Sequence, residues 1–149
     1  MTSNYIQSNQ VITLPSPLAA SLTNLIYEAD SGEVLILPSQ GFAQTFTLPL
    51  PKIGICYKII TSGAIGNPVT ILTNPVNLFQ GALINVTTAV AAAGVASEFT
   101  AVKANSPSIL INGTAQIGAW VEMHCDGDFW FVNGLSATAQ ITLATSGLQ

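Results

Sequence analysis

The apolar residues of this chain come in short runs, cut at near-regular intervals by Gly, Pro, Asn, Ser and Thr. Runs rich in β-branched and aromatic residues between turn formers read as strands. They occur at QVITL (10–14), EVLILP (33–38), QTFTLP (44–49), GICYKIIT (54–61), PVTILT (68–73) and ALINVT (82–87). Further runs follow at SEFTAVK (97–103), SILIN (108–112), GAWVEMHC (118–125), DFWFVN (128–133) and AQITLA (139–144). Many short strands at a spacing of about ten residues predict a β-sandwich or barrel. No amphipathic helix of 10–15 residues separates them, which disfavours a parallel α/β fold. The expected architecture is all-β, a single-domain antiparallel β-sandwich, jelly-roll-like, over residues 10–145. A polar N-terminal arm (1–9) precedes it and a short tail (146–149) follows.

Two segments carry weak helical signals. In SPLAASLTNLIYEAD (16–30), Ser16 and Pro17 fit the first positions of a helix, yet Thr23, Ile26 and Tyr27 fit a strand equally, so it reads as a loop with a short turn or strand. TAVAAAGVASEF (88–99) is Ala-rich but holds Gly94 at its middle. No repeat of fixed period between 20 and 50 residues is visible. The Ser/Thr/Gln-rich ends, 1–9 and 136–149, are polar without being charged, a composition suited to extended arms lying on neighbouring subunits.

Only 7% of residues are charged, against about 25% in an ordinary soluble domain, while 49% are hydrophobic. No run approaches the ~20 consecutive apolar residues of a spanning helix, so no membrane span is expected. Chains this poor in charge commonly hide much of their surface against partners. The cations are Lys52, Lys58 and Lys103, with no arginine, and the net charge is −4. Phosphate neutralisation needs Lys and Arg, so nucleic-acid binding and attachment to acidic lipid are not expected. The opening MTSNYIQSNQ has neither a basic nor an apolar leader segment, so no secretory signal is expected. Asn85-Val86-Thr87 and Asn112-Gly113-Thr114 then read as chance matches to the glycosylation pattern.

The densest chemistry is AWVEMHCDGDFWFVNG (119–134), which holds the only histidine, His124, with Cys125, Asp126, Asp128 and both tryptophans. Asp126-Gly127 is a two-residue hairpin signal of type I′. That turn sets Cys125 opposite Asp128, His124 opposite Phe129, Met123 opposite Trp130 and Glu122 opposite Phe131. One face then carries Ile117, Ala119, Val121, Met123, Trp130 and Val132, a core face. The other carries Trp120, Glu122, His124, Phe129 and Phe131, an oligomer or ligand face. His124 and Cys125 point to opposite sides of a strand and cannot serve one metal or form a nucleophile–base pair. With only Glu122 beside it, His124 falls short of a zinc ligand set. No catalytic residue, metal or cofactor is therefore assigned, and the protein is expected not to be an enzyme.

Other candidates are weaker. Glu28, Asp30 and Glu33 supply paired carboxylates, as glycoside hydrolysis needs, but acidic residues beside Ser31-Gly32 also make turns. GAIGNP lacks the lysine and helix of a phosphate loop. Cys56 and Cys125 read as two reduced thiols, with a Cys56–Cys125 bridge as the alternative.

The order of an Asp-Ser-Gly turn (30–32), an apolar strand, a Thr-Leu-Pro-Leu-Pro stretch (47–51), Gly54, Tyr57 and a Cys-Asp-Gly-x-x-Trp hairpin (125–130) resembles small β-rich structural proteins of double-stranded DNA virus particles. These are the capsid decoration, cement and fibre-base domains of tailed phages and the minor capsid proteins of large icosahedral viruses. The resemblance covers roughly residues 28–62 and 116–136. It implies a sandwich or jelly-roll-like, non-enzymatic subunit of the virion, made in the host cytoplasm. It further implies a homo-oligomer, most often a trimer, that contacts the major capsid protein or other virion proteins. The alternative is a carbohydrate- or receptor-binding module of a viral fibre, with Trp120, Phe129 and Phe131 stacking on sugar rings.

Overall fold

The structure, a computed structural model, describes residues 11–15, 23–73, 78–87, 96–101, 106–137 and 140–144. These form twelve strands and one 3-10 turn (Glu28–Asp30). A seven-stranded sheet runs, edge to edge, through β1 (Val11–Thr13), β3 (Val34–Leu37), β5 (Cys56–Thr61), β10 (Trp120–Cys125), β11 (Trp130–Ala137), β7 (Phe79–Thr87) and β8 (Ala96–Ala101). A five-stranded sheet runs through β12 (Ile141–Ala144), β9 (Ser108–Ile111), β6 (Val69–Leu72), β4 (Gln44–Thr47) and β2 (Thr23–Leu25). Every expected strand is present, and β2 supplies one more in the segment read as turn or strand. The arm 1–9, the tail 146–149 and the Ala-rich 88–95 lie outside the described residues. Residues 141–144 are a strand of the sandwich, not part of an arm.

The all-β sandwich is as expected, but its sheets are mixed rather than antiparallel, and the strand order does not establish a jelly roll. The first six strands alternate between the two sheets. As a result β1, β3 and β5 lie parallel in one, and β2, β4 and β6 lie parallel in the other. Parallel neighbours need a long crossover, ordinarily a helix. Here each crossover is a strand of the opposite sheet, so the absence of helices did not exclude parallel pairing.

The N-terminal half is thus wound as coils of roughly two dozen residues. Ile12, Leu35 and Ile59 are successive Cα partners in one sheet, and Thr23, Thr45 and Thr70 in the other. The same backbone bond recurs at the strand ends: Leu14 N–H to Ile36 C=O (2.8 Å), Ile26 N–H to Thr47 C=O (3.0 Å) and Leu48 N–H to Leu72 C=O (2.9 Å). The coil length varies from turn to turn, which is why no fixed period shows in the sequence.

The second half closes the sandwich with antiparallel pairs: β7 with β8, β10 with β5 and β11, and β9 with β6 and β12. One further parallel pair joins β11 to β7. Alternate residues face inward. Leu35, Tyr57, Ile59, Val121, Met123, Trp130 and Val132 from one sheet meet Phe46, Val69, Ile71, Ile109, Ile111 and Ile141 from the other, all buried. Tyr57 and Trp130 stack with ring centres 5.9 Å apart at 30°. The Tyr57 hydroxyl donates to the Tyr27 carbonyl (2.9 Å). Burial, and then the nearby Asp30 and Glu28 carboxylates, push that phenol well above the usual tyrosine range.

Candidate functional site

The loop after β10 is built by one side chain. Asp126 Oδ1 accepts from the Phe129 N–H (2.8 Å) and the Asp128 N–H (2.9 Å), and the Asp126 N–H donates to the Phe129 carbonyl (3.2 Å). Asp side chains commonly fold the following backbone into such turns. These two bonds hold the Asp126 carboxyl below its usual range. The loop therefore spans four residues, 126–129, not the expected two. Gly127 supplies the positive φ (+107°).

Cys125 pairs with Trp130, His124 with Phe131, Met123 with Val132 and Glu122 with Asn133. This corrects the expected register by two residues. Because the side-chain period of a strand is two, a slip of two leaves every residue on its expected face. Val121, Met123, Trp130 and Val132 are buried as anticipated, with Ala119 and Cys125. Ile117 is the exception: it sits in the preceding loop and is 74% exposed.

A neighbouring turn supports the hairpin. Lys52 C=O accepts from the Ile55 N–H (3.2 Å), with Gly54 at φ +87° in the third position, as a type II turn requires. Gly54 N–H and Ile55 C=O both bond Cys125, a glycine bulge that starts the β5–β10 pairing.

On the outward side of the large sheet the registers assemble three cross-strand rows. Ile36, Ile60, Trp120, Leu135 and Ile84 are successive Cα partners across β3, β5, β10, β11 and β7. Directly opposed residues project to one side. This apolar row therefore spans four strand spacings, about 19 Å. Its members are half-buried, and Leu135 is exposed. The next row is Val34, Lys58, Glu122, Asn133 and Ala82. The third is Cys56, His124, Phe131 and Gln80.

Trp120 and Phe131 thus lie on one face but in different rows, with the polar row between them. Lys58 Nζ stands 4.7 Å from the centre of the Trp120 ring. Glu122 Oε1 and His124 Nε2 pair at 2.8 Å. Phe131 is 45% exposed. Phe129 sits in the loop, half-buried, where its backbone closes the turn.

Ile36, Ile60, Leu135 and Ile84 were not singled out from sequence. The signal was available in VLIL (34–37) and in Ile59-Ile60, where consecutive apolar residues supply both faces of a strand. Runs of that kind mark strands covered on both sides.

The remaining candidates are separated. Glu28 pairs with Lys52. Asp30 Oδ2 accepts from the Tyr27 N–H (3.0 Å), closing the 3-10 turn. Glu33 is buried at the head of β3. The acidic stretch is a turn element: Ser31 Oγ accepts from the Cys56 N–H (3.1 Å), and the Gly32 N–H donates to the Cys56 carbonyl (2.8 Å). Both cysteines are free. Cys56 belongs to the outward row and Cys125 to the buried face, so no bridge joins them. Among the described residues no three His, Cys, Asp or Glu side chains group at metal-binding range, and no helix is long and apolar enough to cross a membrane. No protein family, curated protein or solved structure matches this chain.

Proposed function

We propose that this protein is a non-enzymatic structural subunit of a virus particle, a capsid decoration, cement or minor capsid protein. In this reading it works by packing against copies of itself and against the shell. The observation that carries the self-packing is the row Ile36–Ile60–Trp120–Leu135–Ile84 on the outward side of the seven-stranded sheet. A sheet face left in water is ordinarily polar. Here five consecutive strands present apolar side chains in line, and a single Trp can bury ~150–250 Å². A chain with 7% charged residues has little to keep such a stripe in water. The virion setting and a ring of three copies are what the sequence resemblance favours. The alternative sugar platform has a competitor at Trp120, because the Lys58 ammonium stands over that ring.

Sedimentation equilibrium or native mass spectrometry of the full chain tests this reading. Expected is a homo-oligomer for the wild type and a folded species of lower mass for Leu135→Glu with Phe131→Ser. A wild type that stays monomeric at micromolar concentration overturns the self-packing face. Failure of the oligomer to bind empty capsids or capsid-protein assemblies overturns the virion role.

A further inference from the structure

An asparagine followed by glycine can be attacked by its own backbone. The glycine nitrogen adds to the asparagine side-chain carbonyl carbon, and no Cβ on the glycine obstructs the approach. The chain holds two such pairs, Asn112-Gly113 and Asn133-Gly134, and the related Asp126-Gly127. Their surroundings in the fold rank them.

Asn133 and Gly134 lie inside β11, which is paired with β10 on one side and with β7 on the other. Their peptide groups belong to ladders that hold the backbone extended. Asp126 Oδ1 is engaged by the Phe129 and Asp128 N–H groups, which favours the ionised carboxylate, a poor electrophile. The Gly127 N–H donates to Cys125 Sγ (3.3 Å). Asn112 differs from both. It is exposed, at the first position of a turn closed by the Ala115 N–H on the Asn112 carbonyl (2.9 Å). Among the described residues neither the Gly113 N–H nor the Asn112 side chain makes a hydrogen bond.

Packing fixes the glycine. A Cβ at residue 113 would stand 2.8 Å from the Gly66 carbonyl oxygen, so the fold keeps Gly113 and with it an unshielded nitrogen. The same turn ties this end of the sandwich together. Gly66 N–H donates to Gly113 C=O (2.8 Å), Ile65 N–H to Ala115 C=O (3.1 Å) and Asn112 N–H to Gln140 C=O (2.8 Å). These bonds join the β9–β10 crossover to the β5–β6 crossover and to the residue before β12.

We infer that Asn112 is a site of spontaneous backbone modification, with the Gly113 nitrogen as the nucleophile. The N–Cγ bond forms, the Cγ–Nδ2 bond breaks, and the Gly113 amide proton leaves with Nδ2 as ammonia. Water then opens the cyclic imide at either carbonyl, to aspartate or to isoaspartate, with no oxidant or enzyme. The isoaspartate product adds a carbon to the main chain between residues 112 and 113, so the three bonds of this turn cannot all be kept. Either product adds a negative charge to a chain already at −4. The site is a clock that loosens this end of the sandwich with age, and it does not depend on the virion reading.

The test is peptide mass mapping of the full chain held at mildly alkaline pH, native and in urea, with isoaspartate counted by enzymatic methylation. In native protein Asn112 is expected to convert at least about tenfold faster than Asn133, whose ladders must first open. In urea the two rates should converge. The native rate at Asn112 should rise with pH, because the nitrogen attacks as its anion. Aged wild type is expected to melt earlier than fresh protein. Asn112→Gln, which must close a larger ring, should block the conversion and keep aged and fresh protein alike. Native protein in which Asn112 stays intact, or in which Asn133 converts equally fast, overturns the proposal. A gap between the two sites that persists in urea overturns the structural assignment. Conversion at Asn112 with no fall in melting temperature overturns its role as a clock.

Discussion

The Lys58 ammonium lies 4.7 Å from the centre of the Trp120 ring, across the β5–β10 boundary on the outward side of the large sheet. A cation over an indole is worth about 0.5–1 kcal/mol at a water-facing site. Lys58→Ala is therefore expected to lower the melting temperature slightly and to shift Trp120 fluorescence without unfolding the chain. Trp130, stacked on Tyr57 in the core, supplies the unshifted part of the emission. If Lys58→Ala leaves the emission unchanged, the contact does not persist in solution.

Asp126 is expected to make the hairpin acid-sensitive. Its carboxylate is held below the usual range by the Phe129 and Asp128 N–H groups, in that order. A depressed folded-state value means that the stabilisation is complete above the ordinary carboxylate range and is lost as pH falls through the depressed value. Asp126→Ala is predicted to melt earlier than wild type at neutral pH, with the gap closing in acid. Asp126→Asn, which keeps the accepting oxygen, should fall between them. Equal melting curves for all three at neutral pH would sink this account of the turn.

Gly81 is a point of backbone contact. A Cβ there would stand 1.9 Å from the Val132 carbonyl oxygen. Gly81→Ala must push β7 away from β11, and overpacking of this kind costs about 1–3 kcal/mol. Gly41→Ala is the control, since nothing lies within 4 Å of its added carbon. Chemical denaturation should show a large loss for the first substitution and little for the second.

Tyr57→Phe removes a buried hydroxyl that donates to the Tyr27 carbonyl. The expected loss is about 1 kcal/mol at neutral pH. The wild-type phenol is pushed above its ordinary range, so the neutral form is the stabilising one. Its contribution is complete below the ordinary tyrosine range and is lost as pH rises toward the raised value. The difference between wild type and Tyr57→Phe should shrink in strong alkali, measured by urea denaturation across that range.

Strand positions and side-chain faces were legible because a strand's period of two is a local property. Val121, Met123, Trp130 and Val132 read as inward, and Trp120, Glu122, His124 and Phe131 as outward, from alternation alone. They stayed so when Asp126 lengthened the loop, since a slip of two residues changes partners but not sides. What the sequence could not specify is which strand lies beside which. Parallel coils rather than antiparallel neighbours arise from burying two-faced apolar strands such as Val34–Leu37 against strands from distant parts of the chain. The apolar row exists only through that choice. Ile36, Ile60, Ile84, Trp120 and Leu135 come from five separate strands, and only the sheet order sets them in line.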